Sequence, residues 1–306
     1  MRGTGRQAVH DKHHDGGSPA APLGRHSDDA VSPKQTAWEQ THLVHDPQDD
    51  LDLALEMADR ADAMTLADFT GSELVFADKA DGTPVTETDR VVEEVLRALL
   101  AERRPGDGFL GEETGASGSA TRQWIIDPID GTRSFVSGGR AWGTQIALQD
   151  GDRLVVGVAS APALGARWWA LRHTEAFRQE RHEPGARRLQ VTDLSELSAA
   201  TWTCHPPLEV ITGDWRVLAD RLSTACGRRL PVTSHGALMV AEGELDICLQ
   251  LEGQPWDYAG FAAVVQGAGG HFSYLDASTR MSGVRPALFT NGKLHSAALA
   301  ALAARP

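Results

Sequence analysis

Two aspartates lie three residues apart in the run Trp124-Ile125-Ile126-Asp127-Pro128-Ile129-Asp130-Gly131-Thr132. Trp-Ile-Ile is a short apolar, β-branched run, which predicts a buried strand that delivers both carboxylates at its carboxyl end. Pro128 cannot donate a ladder hydrogen bond, and it predicts that this strand stops after Asp127. The carboxyl end of a buried strand is where α/β architectures place their chemistry.

The spacing of the two acids separates two kinds of phosphate chemistry. A haloacid-dehalogenase-type site needs carboxylates at i and i+2, one as nucleophile and one as acid. Asp127 and Asp130 stand at i and i+3 with a proline between them, which suits shared hard metal ions better. If the next segment is helical, the N–H groups of Gly131 and Thr132 form an anion site facing the acids. The alternative for Asp-x-x-Asp-Gly is an acidic surface turn.

Three further acids come from distant parts of the chain, and each has a simpler structural explanation. Asp89 fits a capping box with Thr86 at the start of a helix. Glu112, in Gly111-Glu112-Glu113, could face solvent, and Asp257 could cap the helix that follows it. A two-metal site built on Asp127 and Asp130 would still need further carboxylates, which favours Glu112 and Asp257 as metal ligands.

Four segments in one order resemble the signature of the inositol monophosphatase superfamily, which are Mg²⁺-dependent phosphate monoesterases. They are Lys79-Ala80-Asp81-Gly82-Thr83-Pro84-Val85-Thr86-Glu87-Thr88-Asp89, Gly111-Glu112-Glu113, the Trp124–Thr132 run and Trp256-Asp257-Tyr258-Ala259-Gly260. Within the superfamily, Leu110–Glu113, Ser160–Ala170 and Val240–Gly243 are most similar to the actinobacterial type of histidinol-phosphate phosphatase. The resemblance implies an α+β fold, a layered αβαβα sandwich of two subdomains with the metals between them, and a homodimer.

The resemblance also implies a role for each matching residue. Two or three Mg²⁺ ions would be bound by Glu112, Asp127, Asp130, Asp257 and the Ile129 carbonyl. Thr132, assisted by Asp89, would orient and deprotonate the attacking water that Glu112 helps to hold. Gly131 and Thr132 would bind the phosphate, and Arg133 and Gln250 would contact the substrate. The Gly/Pro-containing connection from Lys79 to Pro84 suits a mobile flap that closes over the metals. The alternative for Lys79 is an ordinary exposed lysine.

The substrate pocket departs from the family pattern. Gln250 stands where a glutamate is usual, with Glu252 nearby, Arg133-Ser134 replaces the commoner Lys-Asn, and Val232–Gly236 replaces a Gly-Asp-Phe-Trp-like run. A cationic amino-alcohol phosphate such as histidinol phosphate would miss an acidic partner at position 250. A sugar, cyclitol or nucleoside phosphate therefore remains an alternative substrate, and a non-catalytic phosphate-binding relative remains an alternative function.

Apolar periodicity predicts the elements that must position these residues. Helices are expected over 50–68, from 86–89 onward, over 214–226 and 236–242, and from 257 to 266, and strands over 142–170 and 245–249. Asp150-Gly151-Asp152 predicts a hairpin turn. We expect an N-terminal α+β subdomain over 48–195, which carries most metal ligands, and a C-terminal α/β subdomain over 196–306, which supplies Asp257 and the substrate pocket.

The composition limits the partners. A net charge of −13 in 306 residues argues against nucleic acid and against an anionic membrane surface, but not against a phosphorylated small molecule held by Mg²⁺. Residues 1–47 lack apolar periodicity and predict a disordered extension without a secretory signal. Cys204, Cys226 and Cys248 have no metal-site or disulfide spacing, which predicts free thiols and a cytoplasmic protein.

Overall fold

A computed structural model describes residues 46–70, 76–79, 84–119, 121–172, 174–231, 235–275 and 285–304. The predicted disordered extension over residues 1–47 lies almost wholly outside the described residues. Positions 80–83 of the predicted flap and positions 232–234 of the altered pocket segment also lie outside them. No helix among the described residues combines the length and the apolarity that a membrane span requires.

Seven α-helices and fifteen strands are present among the described residues. The helices are α1 (Pro47–Phe69), α2 (Glu87–Arg103), α3 (Thr132–Val136), α4 (Gly213–Ala225), α5 (Gly236–Ala241), α6 (Pro255–Gly267) and α7 (His295–Ala303), with a 3-10 turn over Leu197–Ala199. The strands are β1 (Phe76–Asp78), β2 (Pro84–Thr86), β3 (Gly108–Gly111), β4 (Gly115–Ser117), β5 (Arg122–Asp130), β6 (Gly143–Asp150), β7 (Arg153–Ala161), β8 (Ala166–Leu171), β9 (Glu175–Glu180), β10 (Arg187–Arg188), β11 (Thr201–His205), β12 (Arg228–Arg229), β13 (Ile247–Gln250), β14 (His271–Tyr274) and β15 (Ala287–Thr290).

Two large sheets and one short ribbon contain all of these strands. The eight-stranded sheet has the order β10-β9-β8-β7-β6-β5-β3-β4, and its neighbours are antiparallel except for the parallel pair β3 and β5. The five-stranded sheet has the order β12-β11-β13-β15-β14, and β1 pairs with β2 as an antiparallel ribbon. The strands of the eight-stranded sheet come from 108–188 and those of the five-stranded sheet from 201–290, while the division into subdomains at residue 195 stays a prediction.

The sheets and helices stack in five layers. Apolar side chains of α1 and α2 pack with Trp124 and Ile126 on one face of the eight-stranded sheet, while Ile125 contacts the cluster around α5 and α6 on the other face. That second cluster also includes Cys248 and Phe289 of the five-stranded sheet, whose outer face packs against α4 and α7. The order is therefore helix, sheet, helix, sheet, helix, and the predicted αβαβα sandwich is confirmed.

Strand β5 shows where the sequence reasoning was wrong. Pro128 does not stop the strand after Asp127: the ladder with β6 is irregular between Asp127 and Asp130 and resumes where Asp130 pairs with Gly143. A proline that falls inside a β-bulge needs no ladder donor, so it is tolerated in a central strand. The bulge instead turns the Pro128 carbonyl toward the Thr144 hydroxyl, which donates to it at 2.8 Å.

Candidate metal centre

The four predicted metal-binding acids line one pocket. It lies between the eight-stranded sheet, the start of α6 and the carboxyl ends of β11 and β13. Its volume is about 380 Å³. The residues that line it are Pro84, Glu112, Asp127, Ile129, Asp130, Gly131, Thr132, Arg133, Ser134, Ala141, His205, Gly236, Cys248, Gln250 and Asp257. The pocket therefore gathers all the predicted metal ligands and substrate contacts, although they come from distant parts of the chain.

Asp127, Asp130 and Asp257 form the centre of this pocket. One carboxylate oxygen from each lies within 4.8 Å of the other two, a spacing at which one cation can be shared. Asp127 is only 1% exposed, and its Oδ1 is buried with no hydrogen-bond partner among the described residues. A buried carboxylate oxygen without a donor is costly unless a cation or a proton satisfies it.

Local structure at two helix starts aims these side chains. Asp257 is the third residue of α6, and its Oδ2 accepts a hydrogen bond from the Gln254 backbone N–H at 2.5 Å. Gly131 precedes α3 with φ +82°, and a Cβ there would lie 2.8 Å from the Ala141 carbonyl oxygen. Only glycine fits that backbone, which carries the chain from Asp130 into the short helix that starts at Thr132.

Glu112 follows the end of β3 and contacts a lysine. The Lys79 ammonium donates to Glu112 Oε1 at 2.7 Å and to Glu113 Oε1 at 2.6 Å. The turn that carries both glutamates is fixed by the fully buried Glu93, whose carboxylate accepts the Glu113 and Thr114 backbone N–H groups. The predicted flap lysine therefore neutralises part of the acidic pocket.

The acids raise one another's pKa values. Burial, then the charge of Glu112, raises the pKa of Asp127 well above its ordinary value. Burial, then the charge of Asp257, does the same for the pKa of Asp130. Burial raises the pKa of Asp257 to about 7, because the hydrogen bond from Gln254 offsets only part of it and Glu112 adds repulsion. Such crowding of acids favours protons or divalent cations as counter-charge.

Thr132 lines the pocket, whereas Asp89 interacts with the charges of Glu112 and Glu113 and makes its hydrogen bonds elsewhere. Asp89 Oδ2 closes the predicted capping box, since it accepts from the Thr86 N–H at 2.7 Å and from the Thr86 hydroxyl at 2.6 Å. Its Oδ1 is buried without a partner among the described residues, and burial raises the pKa of Asp89 to about 6. The Thr132 hydroxyl donates instead to the Ile129 carbonyl at 3.0 Å.

The substrate side of the pocket holds a residue that the sequence analysis missed. His205 ends β11 and pairs directly with Gln250 at the end of the parallel strand β13. Burial lowers the pKa of His205, and the charge of Glu252 works in the opposite direction. A histidine just before the Pro206-Pro207 pair could have signalled a strand end, but nothing local indicated that it would face Gln250.

Gln145 was also missed, although it stands out in retrospect as an amide within the apolar strand β6. It is 2% exposed, and its Nε2 donates to Asp130 Oδ2 at 3.2 Å and to the Asp257 carbonyl at 3.0 Å. The sequence signal was a buried amide directly before the apolar residues Ile146, Ala147 and Leu148, in a strand covered on both faces. Its partner on α6 is 112 residues away along the chain.

A family model, similar proteins and a solved structure identify the family. A family model described as the inositol monophosphatase family matches residues 46–305. A histidinol-phosphatase of Mycobacterium tuberculosis is 42% identical over 262 residues, which cover 83% of this chain and 98% of that protein. An inositol-1-monophosphatase of Caulobacter vibrioides is 31% identical over 215 residues, or 68% of this chain and 82% of that protein. The solved structure of an inositol monophosphatase from Zymomonas mobilis superposes with a TM-score of 0.71 at 27% identity, covering 84% and 99% of the two chains.

Proposed function

The chain belongs to the inositol monophosphatase family and is a phosphate monoester hydrolase, and from that premise we propose that it is a Mg²⁺-dependent histidinol-phosphate phosphatase. The observation that carries the metal dependence is the cluster of three carboxylates, Asp127, Asp130 and Asp257, with oxygens within 4.8 Å of one another. These acids are buried together at the cost of raised pKa values, which a purely structural role would not require.

The donor set fits Mg²⁺. Glu112 and the three aspartates offer only oxygen ligands, and hard oxygen ligands suit Mg²⁺ better than Zn²⁺. The unpartnered Oδ1 of Asp127 is the buried atom that a bound cation would satisfy. We propose two or three ions at these residues, with the Ile129 carbonyl as a neutral ligand. When bound, Mg²⁺ supplies positive charge that lets an anionic phosphate approach the acids and stabilises both the attacking and the leaving oxygen.

The protein's own groups then orient the phosphate and the water. We assign phosphate binding to the backbone of Gly131 and Thr132 at the start of α3. Thr132 orients the attacking water. Asp89 Oδ1, which is buried without a partner among the described residues, is the proton acceptor for the Thr132 hydroxyl. This oxygen can accept that proton only if the Thr132 hydroxyl turns away from the Ile129 carbonyl, to which it donates at 3.0 Å.

Lys79 has a separate role in this proposal. Its ammonium pairs with Glu112 and Glu113, and it must release Glu112 Oε1 for that oxygen to bind a cation. Burial of the ammonium opposes the two ion pairs, but the ion pairs dominate and raise the pKa of Lys79 well above its ordinary value. The lysine is therefore a cation at every physiological pH, and it closes over the pocket as the flap residue.

Histidinol phosphate is proposed as the substrate because of the identity to proteins of that name. The neutral Gln250 argues the other way, since it offers no charge to the substrate ammonium group. His205 and Glu252 lie beside Gln250 at the ends of β11 and β13, and Glu252 is the acid that interacts with His205. We assign the leaving group to His205 and Gln250, next to Arg133.

Phosphate release from a panel of monoesters tests this assignment. With Mg²⁺ present, we expect the highest kcat/KM for histidinol phosphate, compared with inositol 1-phosphate, a hexose 6-phosphate and a nucleoside monophosphate. A higher kcat/KM for inositol 1-phosphate would contradict histidinol phosphate as the substrate, but phosphate monoester hydrolysis would stand. Asp127→Asn is the matched inactive control, because it keeps the size of the side chain and removes the charge. Binding of phosphate without turnover of any monoester would support a non-catalytic relative instead.

We propose that the protein is cytoplasmic. All three cysteines, Cys204, Cys226 and Cys248, are buried free thiols, which suits a reducing cytoplasm. We also propose a homodimer, which gel filtration with light scattering would test directly.

A further inference from the structure

The side chain of Gln145 connects the two halves of the acidic cluster. Gln145 lies in the middle of β6, directly opposite Asp127 of β5 in the sheet register. Its amide Nε2 donates to Asp130 Oδ2 at 3.2 Å and to the Asp257 carbonyl at 3.0 Å, while its Oε1 accepts the Phe261 backbone N–H at 3.3 Å. All three polar contacts of this buried amide therefore go to the metal-ligand strand or to α6.

These contacts fix the orientation of the amide. Two of the partners, a carboxylate and a carbonyl, can only accept, whereas the Phe261 N–H can only donate, so the nitrogen and oxygen of the amide cannot be exchanged. The Asp257 carbonyl and the Phe261 N–H are four residues apart, which is the pair that an α-helix joins. Gln145 thus holds the first turn of α6, the turn that carries the Asp257 side chain.

Two glycines make room for this arrangement. A Cβ on Gly260 of α6 would lie 3.1 Å from Gln145 Oε1 and 3.0 Å from the Val158 carbonyl oxygen. A Cβ on Gly157 of β7 would lie 2.9 Å from the Gly260 carbonyl oxygen and 2.3 Å from the Ala263 Cβ. Helix α6 therefore rests against the sheet at backbone distance, close enough for one glutamine side chain to span from β6 to both ligands.

We propose that Gln145 is a positioning residue that sets the separation of Asp130 and Asp257, and that it thereby sets the affinity of the cation bound between them. The inference rests on the proposed metal-dependent function. Each hydrogen of Nε2 satisfies one partner, so one oxygen of Asp130 is held by the amide while the other is left for a cation. Apolar residues of similar size at position 145 would fill the same space but would leave Asp130 and the start of α6 unconnected.

Direct metal binding to the metal-free protein tests this role without substrate. The variants are Gln145→Met, which keeps length and removes the amide, and Gln145→Asn, which keeps an amide that is one methylene too short. Gln149→Met is the matched control, because Gln149 lies on the same strand and donates only to the Gly151 carbonyl. Titration calorimetry with Mn²⁺ is expected to show binding at least about tenfold weaker in both Gln145 variants, the range typical of groups that orient a metal ligand. Gln149→Met is expected to stay within twofold of wild type.

A second readout separates positioning from a loss of fold. The Mg²⁺ concentration for half-maximal activity is expected to rise about tenfold in the variants, while kcat at saturating Mg²⁺ returns to within a few-fold of wild type. If Gln145 had a purely structural role, its variants would have a lower melting temperature but an unchanged half-saturating Mg²⁺ concentration. That result would overturn the inference. Mn²⁺ affinities within twofold of wild type in whichever Gln145 variant folds would overturn it as well. If the wild-type protein itself bound no Mn²⁺, the proposed metal centre would fail first, and the inference with it.

Discussion

Replacement of Asp257 by asparagine is expected to stabilise the metal-free protein. Burial and the neighbouring acids raise the pKa of Asp257 from an ordinary 3.8 to about 7. At pH 8 the carboxylate is ionised in both the folded and the unfolded protein. The full pKa shift therefore lowers the free energy of unfolding. About three pKa units correspond to at most about 4 kcal/mol of unfolding free energy. Asparagine removes the charge, and its side-chain oxygen can still accept the Gln254 N–H.

Divalent cations should reduce this difference in stability. A ligand present at a hundred times its Kd stabilises a folded protein by about 2.7 kcal/mol. The wild-type protein should gain stability of this size from Mg²⁺, whereas Asp257→Asn has lost one of the ligands and should gain little. The variant is therefore expected to be the more stable protein in EDTA and to lose much of that advantage in Mg²⁺.

Urea denaturation followed by tryptophan fluorescence measures both differences. The two proteins are compared at pH 8 with EDTA and again with excess MgCl₂. Asp152→Asn is the control, because Asp152 is exposed in the hairpin turn between β6 and β7 and lies outside the acidic cluster. If Asp257→Asn were less stable than wild type in EDTA, or if it gained as much from Mg²⁺, the electrostatic account of the pocket would be refuted.

Three further perturbations follow from the same geometry. Lys79→Met removes the ammonium that competes for Glu112 Oε1, so Mn²⁺ affinity measured by calorimetry should rise several-fold, while Lys293→Met at an exposed ion pair should change nothing. Because the pKa of Asp257 is about 7, protons compete with the cation for this carboxylate below neutrality. Mn²⁺ affinity should therefore fall from pH 8 to pH 6. The protons released on binding should make the calorimetric binding enthalpy depend on the ionisation enthalpy of the buffer. His205→Ala should alter the ranking of kcat/KM among the phosphate monoesters more than it alters the turnover of a small aryl phosphate, and equal losses on all substrates would contradict its place beside the leaving group.

Local signals were sufficient for most of the scaffold. The Thr86 and Asp89 capping box, the turn at Gly151 and the strand through Trp124 all depend on neighbours within a few residues. Such short-range patterns are visible in a sequence because the same residues that satisfy the backbone also define the element. The order of motifs then placed the acids, since the family resemblance supplied the long-range arrangement that spacing alone does not contain.

Long-range contacts explain what the sequence analysis missed. Pro128 was expected to end its strand, but the pairing of Asp130 with Gly143 depends on a strand that returns beside it. His205 acquires its place only because β11 and β13 become parallel neighbours. Gln145 and Asp257 are brought together because α6 packs closely on the sheet at Gly157 and Gly260. Neither β6 nor α6 alone contains a signal for this contact.

Two other buried acids in this chain have an arginine as counter-charge, which Asp127 in the pocket lacks within the described part of the chain. Asp50 is 1% exposed and is paired with Arg122 at 2.5 Å, and the buried Glu242 is paired with Arg178 at 2.6 Å. Wherever an arginine closes such a pair, the buried charge has its counter-charge within the protein. Asp127 has no such arginine partner among the described ion pairs, and its Oδ1 is left without a donor. Arginine thus stabilises two other buried acids of this protein, but none pairs with Asp127 among the described residues. This is the arrangement expected where a cation from solution supplies the counter-charge.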